Sequence, residues 1–141
     1  MNALLPLLLL ALSATLPTAG TLAGEAWPTP NPDSAQVTER GRYRISYASA
    51  LEPIEINRIH VWVAQVMDAD GNPVEGATIS ISGGMPDHDH GLPTAPRATA
   101  YLGEGRYLIE GMKFHMGGAW EVVLSIKSGP GDDALSIPLD L

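Results

Sequence analysis

Short segments of period-two apolar patterning, each closed by a turn signal built on Gly, Pro, Asn or Asp, leave this chain little choice but antiparallel β-sheet. Arg42-Tyr43-Arg44-Ile45-Ser46-Tyr47 alternates polar and apolar residues, the period of a strand with one buried face. Ile59 to Met67 follows, with Ile59, Val61 and Val63 on one parity and Trp62 on the other, as in a central strand covered on both faces. Ala77-Thr78-Ile79-Ser80-Ile81, Ala98 to Leu102, Tyr107-Leu108-Ile109, Ala119 to Ile126 and Leu135 to Leu139 read as further strands. Asp68-Ala69-Asp70-Gly71-Asn72-Pro73 is a turn, Gly83-Gly84 closes the strand before it, and Gly103-Glu104-Gly105 is a tight hairpin turn. About seven strands with no helical period between them predict an all-β fold, an antiparallel sandwich of immunoglobulin or cupredoxin-like type.

The first residues do not belong to that pattern. Leu4 to Leu16 is an apolar run of Leu and Ala broken only by Pro6, Ser13 and Thr15, and the small residues Ala19, Gly20, Ala23 and Gly24 follow it. No charged side chain precedes Glu25. A run of this kind ending in small residues reads as a secretory signal peptide over 1–24. It is short of the roughly 20 apolar residues that a spanning helix needs, so no stable membrane insertion is expected after cleavage, and an exported or periplasmic location follows. Pro28, Pro30 and Pro32 make 25–35 an extended arm. The sandwich domain is then 36–141.

All of the formal charge of −8 falls after residue 24. An acidic domain excludes nucleic acid, which demands a basic face, and favours cations and basic partners. The chain has no cysteine, which removes disulfides, thiolate metal sites and Cys nucleophiles at once. A blue-copper centre, which needs a Cys ligand, is removed with them. Any soft metal ligand must then be Met and any borderline ligand His.

The histidines gather accordingly. Met85-Pro86-Asp87-His88-Asp89-His90-Gly91 lies in a long Pro-containing segment between strands, from Gly84 to Arg97, and His115-Met116 lies in a second irregular one, from Gly111 to Gly118. Loops this long in a compact domain are usually functional or disordered. On an extended backbone His88 and His90 point the same way and can close on one ion. Asp87 and Asp89 either orient those imidazoles or are solvated charges. Imidazole with thioether and no thiolate selects copper, with Cu(I) favoured and Cu(II) possible. The candidate ligands are Met85, His88, His90, His115 and Met116. If the parity of Met112 and Phe114 runs on, Met116 points inward and His115 outward, and only one of them is a ligand; a bulge at Gly117-Gly118 re-aims one of them. Met112 reads as core before ligand. His60, at the head of a strand, reads as a structural histidine with a ligand role as the alternative. No spacing in the sequence suggests a nucleophile triad, a phosphate loop or paired carboxylates, so an enzyme is not expected.

The segment Gly83-Gly84-Met85-Pro86-Asp87-His88-Asp89-His90-Gly91-Leu92-Pro93-Thr94, continued by Gly105-Arg106-Tyr107 through His115-Met116 and Trp120, resembles the YtkA-like and FixH-like group of exported β-sandwich domains. Asp70-Gly71-Asn72-Pro73-Val74 matches it more weakly, and the likeness covers roughly Ile54 to Ile126. The resemblance implies a periplasmic copper carrier or chaperone whose acceptor is an envelope protein such as a respiratory oxidase or its assembly factor. FixH-like members usually keep a membrane anchor, which the short segment here does not match. The competing expectation is an Ig-like interaction or structural module of the cell envelope that holds no metal.

Overall fold

The structure is a computed structural model that describes residues 26–141. The expected signal segment, 1–24, lies outside the described residues. Nine strands and one 3-10 turn make up the rest. They are β1 (Gln36–Val37), β2 (Tyr43–Ser49), β3 (His60–Asp68), β4 (Thr78–Met85), β5 (His90–Gly91), β6 (Arg97–Gly103), β7 (Arg106–Met112), β8 (Ala119–Lys127) and β9 (Asp133–Asp140). Seven of these are the strands expected from the alternation; β1 and β5 are two-residue additions.

The pairing order is β1-β2-β3-β7-β6-β4-β8-β9, antiparallel throughout, with β5 folded back on β4. The seam between β6 and β4 is a single pair, Ser80 with Arg97. The sheet bends there into two layers, β1-β2-β3-β7-β6 against β4-β8-β9. Their inward faces meet in one core. Tyr43, Ile45, Trp62, Ala64, Val66, Tyr107 and Ile109 come from the first layer, and Ile79, Trp120, Val122, Leu124, Ile126 and Ile137 from the second. Period two explains the set: on β8 the even positions from Trp120 to Ile126 are buried.

The far edges are clasped. The buried carboxylate of Asp133 on β9 accepts hydrogen bonds from the Thr38 hydroxyl at 2.6 Å and from the amides of Arg40 and Arg42 at 3.0 and 3.1 Å. Glu39 N–H donates to the Ala134 carbonyl beside it. Burial alone would raise the Asp133 carboxyl, but these donors, with the Ala134 amide, hold it at about 2. The arm before β1 carries a short turn, Pro32–Ser34, capped by the Asn31 side chain on the Asp33 amide. The turn packs against β2.

Two expectations need correction here. Gly83-Gly84 does not end β4; the strand continues through it to Met85, because residues without a Cβ let three backbones crowd together. A Cβ on Gly84 would stand 2.6 Å from the His90 carbonyl oxygen, and one on Gly83 2.7 Å from that of Glu121. The segment after Gly84 is also not free of the ladder, since Met85 pairs with His90 and Gly84 with Gly91.

Candidate metal centre

Parity sets the base of the site. Ile79, Ile81 and Gly83 precede Met85 on the inward face of β4, and Met85 is buried at 3 % exposure in the core cluster. Directly paired residues of an antiparallel ladder share a face, so His90 stands on the face of Met85 at the rim of the sandwich. Between them, residues 86–89 form a tight turn in which the His88 amide donates to the Met85 carbonyl at 3.1 Å. Asp89 takes a left-handed φ of 43°, a conformation that Asp tolerates better than most residues. The extended backbone expected for His88 to His90 is therefore replaced by a turn. The two rings nonetheless lie 6.2 Å apart between centres.

The second segment arrives from the opposite layer. Beyond Met112 the backbone leaves the ladder, and Asn57 N–H ties it down through the Phe114 carbonyl at 2.7 Å. Phe114 is fully buried, His115 half-buried and Met116 38 % exposed. The inward-Met116, outward-His115 arrangement that continued parity would give does not occur, because parity holds only where a ladder holds. The His115 ring lies 5.8 Å from that of His90 and 5.4 Å from Trp120, edge-on to both. Trp120 donates its indole N–H to the Met116 carbonyl at 2.9 Å, which fixes the backbone between them. Gly118, with φ of 114°, brings the chain against the Met85 methyl; a Cβ there would be 3.1 Å from it.

His115 Nδ1 is buried and has no hydrogen-bond partner, the one such side-chain atom among the described residues. A buried polar atom left alone costs about 1–3 kcal/mol, so a group that fills its valence is the natural complement. Two imidazoles sharing one ion at about 2.0–2.1 Å hold their ring centres roughly 5–6.5 Å apart, and both neighbouring His pairs fall in that range. Among the described residues no three His, Asp or Glu side chains already converge on a metal position. Met85 pairs with His90 on the ladder and Met116 is exposed at the rim, so thioethers stand beside the imidazoles. Imidazole and thioether are donors that a soft ion accepts.

His60 is set apart from this group. Its Nε2 accepts the Trp62 indole N–H at 3.1 Å, and since indole only donates, Nδ1 carries the ring proton and gives it to the Arg58 carbonyl at 3.1 Å. Both nitrogens are occupied. Burial, opposed by that carbonyl, lowers its pKa below the ordinary imidazole value. Met112, fully buried opposite His60, is core. The residue beside His115 that sequence reasoning did not name among the site residues is Trp120. Its signal was its position two residues after the Gly117-Gly118 pair that re-aims the chain beside His115.

No helix among the described residues is long and apolar enough to cross a membrane. The model of one protein family, described as YtkA-like, matches residues 44–125. No curated protein and no solved structure matches the chain.

Proposed function

The chain belongs to the YtkA-like family, and on that footing we propose that it is an exported protein that binds copper at the Met85, His90 and His115 end of the sandwich and carries or buffers it as cargo. The observation that supports this most is the unpartnered, buried Nδ1 of His115 beside the rings of His90 and Trp120. Imidazole and thioether donors without thiolate suit Cu(I) first and tolerate Cu(II). His88 lies on the exposed turn and Met116 on the exposed rim. They are the ligands a partner reaches first, so release proceeds by stepwise ligand exchange from the outer residues inward. No bond-making chemistry is needed beyond that exchange. The acceptor is an envelope copper protein such as a respiratory oxidase or its assembly factor, an assignment that rests on the family resemblance alone. X-ray absorption at the copper edge of the Cu(I)-loaded protein tests the site: the expected shell mixes nitrogen with at least one sulfur. A shell of nitrogen and oxygen only, or no stoichiometric loading, contradicts it.

A further inference from the structure

Trp120 is 2 % exposed and its indole plane is fixed from two sides. Its N–H is spent on the Met116 carbonyl, and Phe114 packs edge-on at 5.2 Å between ring centres. His115 also packs against the indole, 5.4 Å away at an interplanar angle of 78°. The buried Nδ1 without a partner belongs to that same imidazole. Met85, through its methyl against Gly118, reaches the same corner. Of the acidic side chains nearby, Asp87 and Asp89 are exposed on the turn and Glu121 lies on the outward parity of β8, while the Leu141 oxygen beside Gly118 accepts its N–H at 2.6 Å.

We infer that Trp120 is the selectivity-determining residue of this site, its buried indole sealing the inner side so that the cargo is a low-coordinate soft monovalent ion, Cu(I), in preference to Zn(II) or Cu(II). The inference rests on the copper reading and goes further by assigning the discrimination to a residue that donates no ligand atom. Zn(II) is held by four ligands in a tetrahedron of N, O or S donors, and Trp120, buried with its N–H spent on the Met116 carbonyl, supplies none of them. Cu(I) is content with fewer ligands. It is also stabilised by the negative face of an aromatic ring within about 6 Å, most strongly by Trp and most strongly when desolvated. The indole N–H adds a positioning effect, because it holds the irregular 113–118 backbone that aims His115.

Cu(I) competition and Zn(II) titration of the wild type and Trp120→Leu, with thermal unfolding measured in parallel, test this. In Trp120→Leu the ratio of Cu(I) to Zn(II) affinity is expected to fall about tenfold or more. A Cu(I)-to-Zn(II) ratio that stays at the wild-type value in folded Trp120→Leu overturns the inference and leaves the copper site standing. Should that variant fail to fold, fluorine NMR of the wild type labelled with 5-fluorotryptophan decides. The Trp120 resonance is expected to move on addition of one equivalent of Cu(I) while that of Trp27 does not, and a Trp120 resonance that stays in place overturns the inference. A wild type that binds no Cu(I) removes the copper reading itself, a result distinct from both.

Discussion

At His115 a buried ring nitrogen stands without a hydrogen-bond partner, whereas at His60 both ring nitrogens are satisfied within the fold. The two imidazoles therefore respond differently to loss. His115→Ala removes a proposed ligand and is expected to weaken Cu(I) binding by roughly a hundredfold, about 3 kcal/mol, with little change in unfolding temperature. His60→Ala strands the Trp62 indole N–H in the core and is expected to cost about 1–3 kcal/mol of stability while leaving copper stoichiometry unchanged. Chemical denaturation beside metal titration separates the two. The pH dependence follows from the lowered pKa of His60. The folded state favours the neutral ring, so this contribution is present above the unfolded value, about 6.5, and is lost as pH falls from there toward the folded pKa. Stability of the wild type should therefore drop below about pH 6.5 more steeply than that of His60→Gln.

The β4–β5 hairpin is the element on which the site depends. Gly84 faces the His90 carbonyl so closely that Gly84→Ala has to push β5 away from β4. We expect a cost of about 1–3 kcal/mol from overpacking and, because His90 rides on β5, a fall in Cu(I) affinity larger than the stability loss accounts for. Amide hydrogen exchange at Leu92, whose N–H donates to the Gly83 carbonyl at 3.1 Å, reports the opened hairpin directly; unchanged protection there contradicts this placement. The strands themselves were legible from alternation, and so was the face that Ile79 and Ile81 share on β4; on β3 both faces read as covered, and it is the parity of Trp62, not that of Ile59, that turns inward. Three features were not. The Gly83-Gly84 pair reads as a terminator, when its role is close approach across β4, β5 and β8. The turn at Asp89 depends on a left-handed residue that alternation does not encode. The turn-in of His115 depends on a hydrogen bond from Asn57, more than fifty residues earlier, and on Trp120; no local spacing records either.

Across the whole molecule, the sandwich is bent at the single Ser80–Arg97 pair and clasped at its far edges by Asp133. The clasp joins groups more than ninety residues apart in sequence, which is why no sequence pattern announces it. Asp133→Ala leaves the Arg40 and Arg42 amides without their acceptor and the Thr38 hydroxyl with only the Tyr43 carbonyl at 3.1 Å, and is expected to cost about 3 kcal/mol or more. That corresponds to roughly 10 °C or more in melting temperature for a domain of this size, and calorimetry measures it. Because the folded carboxyl sits at about 2 against an ordinary 3.8, its contribution is complete above the ordinary value and disappears as pH falls from there through about 2. The proposed copper site lies at the other end of β8 from this clasp, so Asp133→Ala should keep wild-type copper stoichiometry wherever it remains folded.

The most direct test of copper binding at the His/Met end is a Cu(I) competition titration against a chromophoric chelator, wild type beside the His90→Ala/His115→Ala double variant. One tight equivalent in the wild type, absent from a folded double variant, is the predicted result. A wild type that fails to compete, or a double variant that competes equally well, contradicts it.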